Sequence, residues 1–438
     1  MNEINALMRF IAASPTAFQA IENLRSMLEE AGYAALNERE AWKIAPGGRY
    51  CVTRNQSSLI AFRVPEGGFA HFQIVASHAD SPCFKLKPSA NRAAQGYAVL
   101  NVEKYGGMIM STWLDRPLSI AGRVIVRTEA GFETRLVNLD RDLALIPNMP
   151  IHFNRAVNDG VALNPQVDML PVIGAEGADI TDIVAQALGV APDDIAGGDL
   201  FLVNRDAPKL WGAHEEYLAS PRLDDLECAF ASVRALIAAK PSGHIDVACV
   251  FDNEEVGSGT KQGADSTFLA DALRRVALAL EADSQTLEAA AAGSFMLSAD
   301  NAHAIHPNHP EKYDAENRVA MNGGVVVKFN ANQKYTSDGV SQAVFEAVCR
   351  GAGVPVQRFA NRSDVPGGST LGNIANAHVS MNTVDIGLAQ LSMHSANESA
   401  GVKDMQYMVD AMRAFHETEI EVVRDGLIQL RRAGADED

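Results

Sequence analysis

The sequence predicts an α/β fold, an α/β/α sandwich in which helices cover both faces of a largely parallel sheet, interrupted by a β-rich insertion. Three observations predict it. Helix-like and strand-like segments alternate before and after the middle of the chain, the pattern of a layered sheet with crossover helices. From about residue 90 to 207 the texture changes to many short β-like runs with turn residues between them. Several apolar strand-like runs end on an acidic or imidazole side chain, and open α/β sheets carry their chemistry at the carboxyl ends of strands.

Taken in order, the chain opens with a helix that Ser14 can cap, with Pro15 at its first position and Gly32 as its stop. SLIAFRV and HFQIVAS alternate or run apolar as strands do, and the second ends directly on His78. AGRVIVRT and TRLVNL are typical of the β-rich middle. LDDLECAFASVRALIAA then reads as a helix, IDVACVFD as a buried strand, STFLADALRRVALALE as a helix and SFMLSA as a strand. GVVVKFN, QAVFEAVCR and VSMNTVDIG continue as strand, helix and strand, and a long amphipathic helix is expected from Lys403 to Arg432. No internal repeat and no low-complexity linker interrupts this order.

Composition narrows the function. With 438 residues, 47% hydrophobic and 21% charged, the chain is of ordinary globular type, with room for two or three domains or for one domain and a large insertion. The net charge of −18 argues against a general grip on nucleic acid or on an anionic membrane, both of which need positive charge. The five cysteines, Cys51, Cys83, Cys228, Cys249 and Cys349, are scattered with no CxxC pair, so buried free thiols are expected rather than a disulfide framework or a zinc ribbon. The opening MNEINALMRFIAASPTAF lacks the basic and apolar regions of a secretory signal, and no stretch reaches the roughly 18 apolar residues of a membrane span. A cytoplasmic protein is expected.

Five strand ends or adjoining loops carry the candidate chemistry: His78 with Asp80, Asp224 with Asp225, Asp252 with Glu254 and Glu255, Asp300 with His303, and His394. In SHAD, His78 can ligate a metal while Asp80 fixes its other ring nitrogen, as a ligating imidazole requires; a loop histidine near a loop aspartate is the plainer reading. In FDNEEVGS two adjacent glutamates follow a buried strand and would repel unless a cation or a proton intervenes. One can ligate a metal and the other serve as general base on an activated water; a solvated acidic loop is the alternative. Asp224, before an apolar helical run, can bridge two ions, with Asp225 as a cap or dipole partner.

His303, His306 and His309 recur every third residue, but Pro307 and Pro310 break any regular helix, so His306 and His309 are expected to be structural. His394 is the remaining ligand candidate. His78, Asp224, Glu255, Asp300 and His394 together make two imidazoles and three carboxylates, a set suited to zinc or another first-row ion such as cobalt or manganese. If Asp224 bridges, each of two ions gains three protein ligands and keeps open positions. GGSTLGN lacks the lysine of a phosphate loop, and no GxSxG elbow marks a serine hydrolase.

The stretches SHADSPCFKLKP, STWLDRPLSIAGRV, SPRLDDL, FDNEEVGSGTKQGADS, SADNAHAIHPN, VVVKFNANQKYTSD and AQLSMHS are similar, in this order and over nearly the whole chain, to those of the aspartyl aminopeptidase family of dinuclear zinc exopeptidases. The resemblance implies a zinc-peptidase catalytic domain over residues 1–89 and 208–438, interrupted by a dimerisation or lid domain over 90–207. It implies two zinc ions per subunit, with His78 and Asp300 on one, Glu255 and His394 on the other, and Asp224 between them. Glu254 matches the catalytic acid/base, with Asp80 beside it as the residue that orients His78. His303, Lys328 and Tyr335 match substrate-contacting positions, and His152 matches a histidine that reaches a neighbouring subunit's site. Peptides with a free N-terminus, preferably Asp or Glu, are the implied substrates, with Lys328 as the cation for the acidic side chain, and a dodecamer is the implied assembly. A related dinuclear peptidase or deacylase of broader specificity, or a non-catalytic metal-binding assembly protein, are the rival readings.

Overall fold

The computed structural model describes residues 3–432. Its main sheet has nine strands in the order Ala34–Leu36, Arg49–Arg54, Ser58–Arg63, Ile245–Phe251, Phe72–His78, Phe295–Ala299, Asn382–Gly387, Val325–Phe329 and Val356–Ala360. The four central strands, Ile245–Phe251, Phe72–His78, Phe295–Ala299 and Asn382–Gly387, run parallel, while antiparallel neighbours occur toward both edges. The fold is therefore α/β with a mixed sheet.

The central strands are apolar at successive positions because both faces are covered. On one face Val75, Ala248 and Leu297 pack beneath helices Glu3–Ala13, Ala17–Glu30, Leu223–Ala238, Gly339–Ala352 and Val402–His416, whose apolar stripes include Leu7, Leu24, Phe230, Phe345 and Phe415. On the other face Ile74, Val247, Cys249 and Met296 meet Phe268, Leu273 and Val276 of helix Phe268–Ala279. The period of two in the strands thus divides one run of residues between two cores.

The β-rich middle forms a second, antiparallel sheet of six strands, ordered Gly131–Asn138, Leu118–Thr128, Ile195–Asn204, Cys83–Ala94, Tyr97–Tyr105 and Val172–Ala175. It closes over its own core of Phe84, Leu100, Trp113, Ile120, Leu202 and Val184. Its first strand begins at Cys83, ahead of the expected residue 90, because Phe84 and Leu86 already point into this core. A five-stranded sheet, Lys209–Trp211, Tyr217–Ser220, Glu398–Gly401, Ala389–Leu391 and Ala302–His303, is built from segments that follow the β-rich part in sequence, and its strands adjoin Asp224, Asp300 and His394 along the chain.

Two expectations are corrected at the ends of the chain. The opening is two helices: Ser14 and Pro15 fall between Glu3–Ala13 and Ala17–Glu30, with Thr16 at the second helix's start. Proline's missing N–H and fixed φ interrupt the run there, while Ile4, Leu7, Phe10 and Ile11 already bury a helical stripe before it. Gly32, at φ +85°, does end the second helix. The last helix stops at His416, and the described residues after it form a hairpin, Thr418–Arg424 paired with Leu427–Arg432. The sequence TEIEVVRDGLIQLRR alternates with period two around an Asp-Gly turn, and Gly426 adopts φ +77°. The five cysteines are free, four of them buried and Cys83 half-buried.

Candidate metal centre

Three parallel neighbours of the main sheet end side by side, and their carboxyl ends supply most of the site. Phe72–His78 ends on His78, Ile245–Phe251 leads to Glu254 and Glu255, and Phe295–Ala299 leads to Asp300. Asp224 and Asp225 enter from the start of helix Leu223–Ala238, where both residues have non-helical backbone angles. His394 comes from the loop between Ala389–Leu391 and Glu398–Gly401, held at φ +64°.

These side chains converge. Ligand atoms of His78, Asp224, Asp225 and Asp300 lie within 4.8 Å of one another, as do those of Asp224, Glu255 and His394, and those of His78, Glu254 and Glu255. Asp224 spans the two imidazoles: its Oδ1 is 3.7 Å from His78 Nε2 and its Oδ2 is 3.3 Å from His394 Nε2. Glu255 Oε1 is also 3.3 Å from His394 Nε2. The opposite ring nitrogens are tied back to the protein. His78 Nδ1 lies 3.1 Å from the Asp80 carbonyl oxygen and His394 Nδ1 lies 2.6 Å from that of Gly107, so both Nε2 atoms face the carboxylates.

The electrostatics call for cations. Asp224, Asp225 and Asp300 are buried, and Glu254 and Glu255 stand half-buried beside them. Burial, with the nearby charges of Asp300 and Glu255, pushes the Glu254 carboxyl well above its ordinary range. Burial and the charge of Asp224 lift Glu255 to about 7 against the pull of His394. His78 is drawn well upward despite its burial by Asp225 and Asp80. Asp224 Oδ1, Asp225 Oδ1 and Glu255 Oε1 are buried with no hydrogen-bond donor, which a protein-only site leaves unexplained and a divalent ion satisfies. Two imidazoles with carboxylate oxygens match the donor preference of zinc.

The surrounding residues fall partly where the sequence placed them. Asp80 does more than orient His78: its Oδ1 accepts the Glu254 N–H and its Oδ2 the Glu255 N–H, each at 3.1 Å. Asp225 is not a helix cap; it is fully buried, and its Oδ2 accepts the His78 N–H at 3.2 Å. Asp252 is buried but belongs to none of the ligand groups among the described residues. Lys328 is buried, donates from Nζ to the Asp300 carbonyl at 2.8 Å, and lies 5.1 Å from the centre of the Tyr335 ring. His303 packs edge-on to Phe359, and burial, together with the charge of Lys328, lowers its pKa. His152 stands exposed on a loop of the β-rich part, outside the ligand groups. His306 and His309 lie beside each other at the surface, their ring centres 5.1 Å apart.

Sequence reasoning missed three supports. Tyr105 donates its hydroxyl to Asp80 Oδ2 at 2.7 Å, Gly107 offers its carbonyl to His394, and Glu398 accepts the N–H groups of both Asp224 and His394. Tyr105 and Gly107 come from the second sheet and the turn after it, and no local pattern links them to the ligands. Glu398 had a signal, a lone carboxylate four residues after His394 in a segment that alternates as a buried strand.

The family described as "Aminopeptidase I zinc metalloprotease (M18)" matches residues 10–416. The chain is 46% identical over 421 residues to "Probable M18 family aminopeptidase 2" of Clostridium acetobutylicum, covering 94% of this chain and 97% of that protein. Its fold is similar to the cryo-EM structure of the Ape4 and Nbr1 complex, at TM-score 0.92 and 36% identity, covering 95% of this chain and 85% of that one. It is also similar to the S. cerevisiae mApe1 dodecamer structure, at TM-score 0.82 and 27% identity over 94% of this chain and 95% of that one. The protein that carries this site belongs to the M18 family and is a zinc metalloaminopeptidase, a hydrolase.

Proposed function

We propose that this aminopeptidase removes single N-terminal residues from peptides at a centre for two zinc ions, preferring Asp or Glu. The observation that carries the reading is the Asp224 carboxylate, whose two oxygens each face the free nitrogen of a different imidazole. His78 and Asp300 would hold one ion, Glu255 and His394 the other, with Asp224 shared. Bound zinc supplies Lewis acidity, polarising a carbonyl and lowering the pKa of water from 15.7 to about 7.

The chain's own residues do the rest. Glu254 takes the proton from the attacking water and returns it to the leaving amine. Its burial, with the neighbouring carboxylates, raises its proton affinity well above that of an ordinary glutamate, in the direction a general base requires. Asp80 holds the backbone of Glu254 and Glu255 in place, so the base and a ligand keep a fixed spacing. Carboxylates around the centre bind the substrate's α-ammonium, which restricts cleavage to the first peptide bond. His303, Lys328 and Tyr335 line the substrate side, and Lys328 faces the acidic side chain.

A broader specificity is favoured by one observation: Lys328 already donates a hydrogen bond to the Asp300 carbonyl. Release assays on dipeptides beginning with Asp, Glu, Ala, Leu or Lys separate the readings. Faster cleavage of the acidic members supports the preference, and equal rates across the panel assign the broader one. No cleavage of any member by zinc-loaded enzyme would place the preferred N-terminal residue outside this panel and overturn the acidic preference.

The assembly reading is a dodecamer, with peptides as substrates and a cytoplasmic location. Phe153 is 83% exposed beside His152, and Met149, Ile151 and Val167 on the same loop are also exposed, an apolar surface that a second subunit would cover. Among the described residues no helix is long and apolar enough to cross a membrane.

A further inference from the structure

We propose that Glu398 is a positioning residue of the metal centre, a single carboxylate that sets the spacing between Asp224 and His394. The inference rests on the dinuclear reading given above. Glu398 is 2% exposed and opens strand Glu398–Gly401, which pairs antiparallel with Tyr217–Ser220, the strand that leads into Asp224. Its Oε2 accepts the Asp224 N–H at 3.1 Å and its Oε1 accepts the His394 N–H at 2.7 Å. One side chain therefore holds the backbone of two candidate ligands whose own side chains approach to 3.3 Å.

The local backbone needs that hold. His394 and Ser392 both sit at left-handed angles, φ +64° and +58°, which non-glycine residues adopt only when their surroundings impose them. The Asp224 end is irregular too, since its residue is non-helical inside a helix start. Deleting the carboxylate would leave two N–H groups without their acceptor, and the loop and the helix start would be free to part. The network continues inward: Gln390 donates to Glu398 Oε1 at 3.4 Å and accepts from Asn301 at 3.1 Å, and Asn301 also donates to the Leu223 carbonyl at 3.0 Å. Asn301 follows Asp300, so the same frame reaches the next candidate ligand.

The chemistry of the carboxylate is specific. Two oxygens answer two N–H donors, whereas an amide has one acceptor oxygen and would turn its NH2 toward a donor. Glu398→Gln keeps the size and loses one of the two bonds; Glu398→Ala loses both.

The test is a cobalt(II) titration of the metal-free full-length chain, followed by visible absorbance and by ions bound per chain. Wild type is expected to bind two ions, and His394→Ala identifies the step that depends on His394. Glu398→Gln is expected to weaken that same step by about 10–100-fold, as loss of a supporting contact does, and the other step clearly less, because His394 serves one ion whereas the shared Asp224 keeps its remaining contacts. Glu398→Ala should weaken it further. Urea unfolding of each metal-free variant runs beside the titration. A lowered unfolding midpoint with both cobalt steps as in wild type would make Glu398 a fold residue only, and equal weakening of both steps would also overturn the proposal. If Glu398→Ala does not fold, Glu398→Gln carries the test alone. Wild type binding fewer than two ions, or His394→Ala titrating like wild type, would sink the dinuclear reading and this inference with it.

Discussion

Glu254 and Glu255 are adjacent, yet the site gives them different surroundings. Glu255 points at His394, and Glu254 lies with its ligand atom near His78 and Glu255. Removing only the proton-transfer role should separate chemistry from metal binding. Glu254→Gln is expected to lower kcat by about 10²–10⁴-fold with zinc content unchanged, measured by peptide release and by elemental analysis of the same sample. Lost zinc in that variant would mean that Glu254 is a ligand instead. Gly106 marks a close backbone approach to Glu255. It sits at φ +75°, and a Cβ there would lie 3.1 Å from Glu255 Cβ and 3.2 Å from the Glu255 carbonyl oxygen. Gly106→Ala should therefore push Glu255 away from His394, and zinc retained after dialysis against a chelator should fall well below that of wild type. Lys328→Ala should reduce turnover of Asp and Glu dipeptides more than of Ala and Leu dipeptides. Because Lys328 also holds the Asp300 carbonyl, equal losses on all substrates would assign it to support of the metal ligand.

At the scale of elements, the C-terminal hairpin is joined to the main sheet by a buried charge network at the amino-terminal end of strand Ile245–Phe251, the end opposite the candidate ligands. His244 Nδ1 is 3.1 Å from Glu419 Oε2 on the hairpin, and its Nε2 is 3.1 Å from Asp246 Oδ1. Asp246 also pairs with Arg63 at 2.6 Å and with His416 Nδ1 at 3.0 Å. Burial opposes protonation of His244, but the bonds to Asp246 and Glu419 prevail and raise its pKa to about 9. Burial likewise opposes ionisation of Asp246, and His416 and His244 overcome it, holding the carboxyl well below its ordinary value. The His244 contribution is complete below its unfolded value of about 6.5 and is lost as pH rises through about 9; the Asp246 contribution is complete above about 3.9 and is lost only in acid. Between those limits the clamp is at full strength. His244→Gln should lower the unfolding free energy, read from urea titration, most near pH 6, by on the order of 2–4 kcal/mol, and that deficit should shrink by pH 10. A deficit that does not change with pH would remove the charge from the account. Comparing variant with wild type at each pH cancels the contribution of zinc.

For the whole molecule, the β-rich part supplies both local support and a surface. Tyr105 and Gly107 brace Asp80 and His394 within one chain, whereas His152 lies out on an apolar, exposed loop. If His152 serves a neighbouring site, His152→Ala and Glu254→Gln should each be nearly inactive alone. Mixed and reassembled, they should recover a fraction of activity, because some sites pair an intact Glu254 with an intact His152. Phe153→Asp should break the assembly, seen as a smaller mass by light scattering. A variant that keeps the mass of wild type would place the subunit contact elsewhere.

How much was legible follows from the range of each signal. His78, Glu255 and Asp300 could be found because an apolar run of seven or so residues announces a strand, and the first polar groups after it fall at the sheet's catalytic edge. The α/β class and the β-rich interruption came from the same local periodicities, and the Asp-Gly hairpin at the end was equally readable but was masked by a helix-like apolar count. Sequence by itself therefore determined the elements, the candidate ligands and the family they resemble, since covalent neighbours and period set local conformation. The tertiary structure alone decided that Asp224 spans two imidazoles, that Asp225 is buried beneath them, and that Asp80, Tyr105 and Glu398 hold the frame. Those are contacts between segments up to 175 residues apart, and they arise only when packing of two cores brings strand ends, a helix start and a loop to one place.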